Sequence, residues 1–153
     1  YSIRLVEGAD SRFQSVRNGL KGVDGTGVVA IHDAARPCVS ARLINSSFKA
    51  ASVYKSAVAA VALKDSIREK SGSTTISRDR SNYYLVQTPQ TFDNKLLKKA
   101  YMQPYNIRFT DDASVVSSDG HEVHLIEGSY ENIKITTDGD LYLAKLFLSK
   151  NLA

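Results

Sequence analysis

A carboxylate and a guanidinium follow an apolar run near the start of the chain. The run, residues 27–31, holds glycine, alanine and β-branched residues without polar alternation, which predicts a strand covered by helices on both faces. Asp33 and Arg36 come directly after it, and Pro37 then opposes an immediate helical turn. Because ligands bind at the carboxyl ends of strands in open α/β sheets, this pair is a candidate ligand site. A simple ion pair within a loop is the alternative.

A lysine stands in the otherwise apolar segment 132–136, which reads as a short strand. The isoleucines on either side of Lys134 would point to the opposite face of such a strand. The lysine then either extends to solvent or meets an anion. Arg36, Arg80 and Thr110 also stand at predicted strand ends or loop openings, so the second alternative is a shared phosphate site.

The other reactive side chains form no familiar catalytic or metal-binding pattern. His121 and His124 lack metal-ligand spacing with a carboxylate, and His32 most simply supports its own loop. No catalytic serine or cysteine signature and no complete glycine motif of the Rossmann or P-loop type is present. Cys38 is the single cysteine, so we expect a packing residue in a reducing, cytoplasmic setting.

Composition predicts one globular domain over residues 1–153, since 42% of the residues are hydrophobic. No apolar run has the length of a membrane span, and the start does not resemble a signal peptide. The net charge of +4 is spread along the chain, without a dense basic block interleaved with aromatic residues. This charge favours small anions such as phosphates as ligands and argues against nucleic acid and membrane partners.

Strand and helix signals alternate, which predicts an α/β fold with a mostly parallel sheet and helices on both faces. Strands are expected at 3–6, 28–31, 57–63, 83–87, 122–126 and 132–135, and Thr88-Pro89-Gln90 is expected to turn out of the sheet. Helices are expected after Asp10 or Ser11, after Ser40, after Asp93, from segment 110–114, and after Thr137 or Asp138. The last helix should bury Leu141, Ala144 and Leu148.

Residues 64–82 interrupt this pattern with charged and polar residues around the turn sequence Ser71-Gly72-Ser73. The segment predicts an exposed β-hairpin, which we call the arm. A hairpin with so little apolar surface is marginal by itself and more stable when it packs on another subunit. A flexible polar loop is the alternative.

Six short segments occur in an order that resembles the 2-C-methyl-D-erythritol 4-phosphate cytidylyltransferase family. Together they span nearly the whole chain. The resemblance implies a Rossmann-like fold of the nucleotide-diphospho-sugar transferase type. The segments are 6–8 with 15–20, 32–37, 79–80, 88–90, 110–114 and 132–136.

The family resemblance implies an activity, a metal and a quaternary structure. The reaction would transfer a cytidylyl group from CTP to 2-C-methyl-D-erythritol 4-phosphate with release of pyrophosphate, in non-mevalonate isoprenoid synthesis. Mg²⁺ would be required, and the arm would join two subunits into a homodimer. Such chemistry needs positioning and charge neutralisation more than a side-chain nucleophile.

The resemblance also implies roles for individual residues. Arg80 and Lys134 would be catalytic and would position the acceptor phosphate. Asp33 would lie near the metal. The substrate-binding set would be Asp33, Arg36, Ser66, Thr88 and Thr110, and the nucleotide-binding set would be Gly8, Ala9, Asp10 and Ser15.

The family begins with a glycine-rich loop that holds the triphosphate, and this sequence contains no such segment. We therefore expect the 153 residues to correspond to the carboxyl-terminal two-thirds of a family member and not to turn over CTP by themselves. Two alternatives remain at this point. One is a cytidylyltransferase for another polyol phosphate such as ribitol 5-phosphate, and the other is a non-catalytic dimerising remnant.

Overall fold

Four of the six strands form a central sheet within residues 3–150, the part of the chain that the computed structural model describes. The strands are β1 (Val28–Ile31), β2 (Ser56–Ala62), β3 (Ile67–Ser71), β4 (Thr74–Arg78), β5 (Tyr84–Asp93) and β6 (Leu125–Glu127). The sheet order is β1-β5-β2-β6, with β6 parallel to β2 and with β5 antiparallel to both β1 and β2. Three strands therefore point the same way, and the predicted α/β class is confirmed. The ends of the domain assigned to residues 1–153 lie outside the described residues.

Helices cover both faces of this sheet, as predicted. They are α1 (Arg12–Lys21), α2 (Ala41–Tyr54), α3 (Asn94–Ala100), α4 (Asp112–Ser118) and α5 (Asp138–Lys150). On one face, Val58 and Phe92 pack against α1, α3 and α4 in the main apolar core. On the other face, Thr91 donates a hydrogen bond to Ser47 of α2 at 3.0 Å, and both side chains are fully buried. No helix within residues 3–150 combines the length and apolar character needed to cross a membrane.

Helix starts agree with their capping signals. Ser11, Ser40 and Asp93 each accept a backbone N–H of the following turn through a side-chain oxygen. The predicted inner stripe of α5 is wrong in part, because Ala144 is buried while Leu141 and Leu148 are 44% and 38% exposed. The helical period places these residues on one face, but it does not supply a surface for that face to pack on.

Two predicted strands are absent from the described residues, and a third is shifted. Segment 3–6 is irregular, with Ile3 and Leu5 almost fully exposed. Segment 132–135 is a loop whose backbone bonds, from the Asn132 N–H to the Ser129 carbonyl and from the Ile135 N–H to the Ala35 carbonyl, form no strand ladder. The strand expected at 122–126 is β6, over Leu125–Glu127. A strand needs a neighbouring strand to satisfy its backbone groups, and β propensity alone does not provide that partner.

The predicted turn at Thr88-Pro89-Gln90 is also wrong, because β5 continues through these residues. Its pairing with β2 shifts register between Val58 and Ala60, which leaves room for a proline that cannot donate to the ladder. Instead of leaving the sheet, residues 88–90 are buried within β5, one of its two inner strands.

The arm is a two-stranded antiparallel hairpin formed by β3 and β4, as predicted. Its turn contains Gly72 at a positive φ of 59°, a conformation that glycine adopts without a steric penalty. Every residue of β3 and β4 except Ile67 is exposed. A short 3₁₀ helix, Arg80–Asn82, ends the arm just before β5.

Candidate active site

A polar cleft of about 270 Å³ opens where β1 ends, beside the middle of β5. This is the position that the sequence predicts for a ligand site. Five of the residues that the sequence singles out line it: Asp33, Arg36, Thr88, Thr110 and Lys134. The remaining lining residues are Arg12, Val86, Gln87, Gln90 and Asp111.

The Asp33 carboxylate lies among three cations. Its Oδ2 is 3.2 Å from Lys134 Nζ and 3.5 Å from Arg36 Nε, and its Oδ1 is 3.8 Å from Arg12 Nη2. Burial alone would raise the pKa of Asp33, but the hydrogen bond and charge of Lys134, with the charges of Arg12 and Arg36, lower it below its usual value. Asp33 therefore carries a negative charge that holds the cations together.

Backbone geometry after β1 orients Asp33 and Arg36. The Asp33 N–H donates to Thr88 Oγ1 at 3.0 Å, and the Arg36 N–H donates to the Asp33 carbonyl at 2.9 Å. His32 contacts Thr88 Oγ1 through Nδ1 and the Arg36 carbonyl through Nε2, both at 3.0 Å. The loop 32–36 is thus tied to β5, and His32 supports it as expected.

Arg12 is a site residue that sequence reasoning missed. Its guanidinium donates to both oxygens of Asp112, at 3.0 and 2.6 Å, and the Asp112 side chain is fully buried. Tyr101 donates its hydroxyl to Asp112 Oδ1 at 2.5 Å. Burial would lower the pKa of Arg12, but the hydrogen bond and charge of Asp112 raise it above its ordinary value.

One local signal could have indicated Arg12. It occupies the first helical position of α1, where the helix dipole favours an acidic residue. A basic residue at that position indicates that a specific acidic partner lies elsewhere in the fold. The sequence alone does not show that this partner is Asp112.

Gln90 is a second site residue whose role the sequence does not reveal, although it belongs to segment 88–90 of the family resemblance. It is buried, its Nε2 donates to Asp111 Oδ2 at 2.9 Å, and its Oε1 accepts the Ala113 N–H at 2.8 Å. Asp111 also accepts the Ser114 N–H at 2.8 Å as the cap of α4. These bonds attach the start of α4, next to Thr110, to β5.

Two residues assigned to the site by resemblance lie on the arm and do not line the cleft. Ser66 directly precedes β3, and Arg80 is exposed and donates to the Lys64 carbonyl at the base of the arm. Within the described residues of one chain, Lys134 and Arg80 therefore do not meet in this cleft.

The residues assigned to nucleotide binding lie beside the cleft and do not line it. Ser15 Oγ accepts the Ala9 N–H at 2.9 Å, and a Cβ added to Gly8 would lie 3.5 Å from the same oxygen. Asp10 is exposed in the same segment. The segment 8–15 thus folds onto the first turns of α1, the helix that also brings Arg12 to the cleft.

The arrangement suits the binding of a phosphate. Arginine forks and lysine ammonium groups are preferred phosphate donors, and Lys134 is 47% exposed, so an incoming anion can reach it. Asp33 and Asp112 hold the cations in place before the anion arrives. The residues therefore have the charge and the fixed geometry that a preorganised anion site requires.

The donor set also fits a metal ion that is shared with a phosphate ligand. No group of three or more His, Cys, Asp or Glu side chains within residues 3–150 could hold a metal by itself. Mg²⁺, however, commonly takes one or two carboxylates together with substrate phosphates. Asp33 Oδ1 has only a long contact, to Arg12, among the described residues, so this oxygen could be one ligand.

Comparison with known proteins identifies the family. A family model described as 2-C-methyl-D-erythritol 4-phosphate cytidylyltransferase matches residues 1–150. The chain belongs to this family. A relative of that name from Bacteroides fragilis is 49% identical over 146 residues, which cover 94% of this chain and 66% of the relative. A relative from Porphyromonas gingivalis is 46% identical over 149 residues, which cover 97% of this chain and 67% of the relative.

A solved structure supports the same conclusion. The crystal structure of 2-C-methyl-D-erythritol 4-phosphate cytidylyltransferase from Thermus thermophilus superposes with a TM-score of 0.82 at 32% identity, over 94% of this chain and 72% of that one. The fold and the family inferred from the six segments are therefore confirmed. The chain spans about two-thirds of the length of the curated cytidylyltransferases that it matches.

Proposed function

We propose that this chain forms the acceptor side of an active site that transfers a cytidylyl group from CTP to 2-C-methyl-D-erythritol 4-phosphate. The observation that carries the proposal is the group of Arg12, Arg36 and Lys134 around Asp33, in a chain of the cytidylyltransferase family. Lys134 and Arg36 hold the acceptor phosphate, and Arg12 supports their partner Asp33. Thr88 and Thr110 complete the wall of the cleft.

The reaction needs no nucleophilic side chain. An oxygen of the acceptor phosphate attacks the α-phosphorus of CTP in line, the bond to the bridging oxygen breaks, and pyrophosphate leaves with the bonding electrons. The cations neutralise charge on the attacking phosphate and keep it aligned, which is the main contribution that such a site can make. The segment 8–15 would contact the cytidine.

Mg²⁺ is part of the proposal, with Asp33 as its protein ligand. When bound, the ion would neutralise charge on the phosphates of CTP. Asp33 would then hold both a metal through Oδ1 and the acceptor-side cations through Oδ2. The buried single cysteine, Cys38, agrees with the cytoplasmic location that we also propose.

The proposed assembly is a homodimer joined through the arm. The arm strands are exposed, and the neighbouring start of β5 presents Tyr84, Leu85 and Val86, all of which are more than two-fifths exposed. A second copy of the chain would cover this apolar surface. Arg80, at the base of the arm, would then enter the cleft of the partner subunit and contact the same phosphate as Lys134.

A mixed dimer tests this arrangement. In a family-length protein that contains this sequence, a dimer that pairs an Arg80→Ala chain with a Lys134→Ala chain should recover about half of the normal activity, because one site collects both defects and the other has none. If Arg80 serves its own chain, both sites stay defective. A confirmed mixed dimer with no recovered activity would contradict the shared site.

Substrate assays test the activity itself. The family-length protein should release pyrophosphate from CTP with 2-C-methyl-D-erythritol 4-phosphate and much more slowly with ribitol 5-phosphate. Faster turnover of the ribitol substrate would reassign the acceptor. No turnover of either substrate by a folded, dimeric protein would favour the non-catalytic alternative.

A further inference from the structure

The loop that carries Lys134 is attached to the sheet by one buried side chain. Asn132 is fully buried, and its Nδ2 donates to the Thr88 carbonyl of β5 at 2.8 Å and to Gln87 Oε1 at 3.4 Å. Its Oδ1 is also buried but has no hydrogen-bond partner among the described residues. The side-chain amide of Asn132 therefore acts only as a donor.

The backbone around Asn132 is joined to the other cation loop. The Asn132 carbonyl accepts a hydrogen bond from Arg36 Nη1 at 2.8 Å, and the Ile135 N–H donates to the Ala35 carbonyl at 2.8 Å. Lys134 lies between these two attachments. One anchored residue thus sets the direction of the Arg36 guanidinium and the path of the backbone that carries Lys134.

The contacts of Gln87 leave little freedom for this loop. Its Nε2 donates to the Ser129 carbonyl at 2.8 Å, and its Oε1 accepts the Ser129 N–H at 3.2 Å. A Cβ added to Gly128 would lie 2.5 Å from Gln87 Oε1 and 3.0 Å from the Ala60 carbonyl oxygen. The loop therefore approaches the sheet so closely that residue 128 has no room for a side chain.

We propose that Asn132 is a positioning residue that places Arg36 and Lys134 on Asp33 by donating its side-chain amide to β5. The proposal rests on the proposed function, because it assigns the two cations to the acceptor phosphate. Without the donor, the buried Thr88 carbonyl loses its partner, and the loop loses the attachment to β5 that is closest to Lys134. The cations then reach the phosphate in a displaced geometry, and displacements of about 1 Å can lower rates about 10²-fold.

Asn94, which directly follows the carboxyl end of β5, offers a matched control away from the cleft. It is also buried, its Nδ2 donates to the Gly25 carbonyl at 2.8 Å, and its Oδ1 has no hydrogen-bond partner among the described residues. Asn94→Ala and Asn132→Ala therefore remove chemically similar bonds from similarly buried sites. Only the second bond lies next to the cleft.

The test compares the two variants in the family-length protein. We expect similar losses of stability in both, but only Asn132→Ala should raise the KM for the acceptor, with an overall fall in kcat/KM of about 10²-fold, while the KM for CTP stays unchanged. Asn132→Asp keeps the shape of the side chain but places a carboxylate oxygen against the Thr88 carbonyl and Gln87 Oε1, which both accept hydrogen bonds. This variant should therefore not restore the KM for the acceptor substrate. An Asn132→Ala protein with a normal acceptor KM, or equal kinetic defects in both alanine variants, would overturn the proposal.

Hydrogen exchange separates this proposal from the proposed function. The Ile135 amide should exchange faster in Asn132→Ala than in Asn94→Ala, whatever reaction the protein catalyses. If the wild type transfers no cytidylyl group but the Ile135 amide behaves in this way, the proposed function fails and the anchoring role stands. Equal exchange in both variants would contradict the anchoring role. If an alanine variant does not fold, the Asn132→Ser and Asn94→Ser pair takes its place.

Discussion

The cleft and the arm are both rich in charge, but they keep their charges in opposite environments. In the cleft, Arg12 pairs with Asp112, whose side chain has no exposed surface. On the arm, Arg78 pairs with Glu69, and the two side chains are 42% and 53% exposed. In both pairs an arginine contacts a carboxylate at hydrogen-bonding distance.

Burial decides what each pair does. A charge removed from water must have a partner, so the position of Asp112 dictates where Arg12 lies. An exposed pair exchanges its contact for water at little penalty and constrains the chain weakly. The charges of the cleft therefore hold its side chains in place within one chain. In our proposal, the arm packs instead on a second copy of the chain.

The largest difference between the two regions should be in catalysis. In the family-length protein, Lys134→Ala should lower turnover by roughly 10² to 10³, the range for loss of one preorganised charge-stabilising donor. Lys70→Ala, which removes an exposed lysine of the arm, should leave turnover unchanged. Steady-state kinetics, with circular dichroism as the check on folding, measure both. Loss of activity only in proportion to loss of folded protein would make Lys134 a structural residue.

The two ion pairs should differ next in stability. Asp112→Ala leaves the Arg12 charge and the Tyr101 hydroxyl without their partner and should lower the free energy of unfolding by about 3 kcal/mol. This is the low end of the range for buried pairs, because Arg12 keeps partial access to solvent. Glu69→Ala should produce no measurable change. Denaturant unfolding of both variants tests this, and equal losses would refute the contrast between buried and exposed pairs.

The smallest expected difference is in acid titration. The pKa values of Asp33 and Asp79 are both lower than usual for an aspartate. The pKa of Asp33 is lowered by cations against the effect of burial, whereas that of Asp79 is lowered mainly by the Ser81 backbone N–H. Lys134→Met should therefore raise the pKa of Asp33 and leave that of Asp79 unchanged. NMR titration of the carboxyl carbons measures both shifts.

The sign of the linked stability effect follows from the lowered pKa of Asp33. Its ion pairs stabilise the fold fully above pH 3.8, the usual Asp pKa, and this contribution is lost as the pH falls below that value. As the pH falls below 3.8, the wild type should thus lose more stability than Lys134→Met. Identical losses would show that Lys134 does not set the charge of Asp33.

Local signals in the sequence predicted much of the fold. The helix caps at Ser11, Ser40 and Asp93, the buried strand β2 and the exposed hairpin of the arm all depend on neighbours within a few residues. Predictions failed where a distant partner decides, as in segment 3–6, which lacks a paired strand, and in β5, which continues through Pro89 because β2 shifts register beside it.

The sequence by itself determined the family, the helix starts and half of the residues that line the cleft, because these depend on six short motifs and on the apolar runs next to them. Only the tertiary structure joined Arg12 to Asp112, which are 100 positions apart, and Asn132 to Thr88, which are 44 apart. Neither pair has a local pattern that names its partner. A buried charge or amide must find a complementary group, and folding alone decides which group lies within reach.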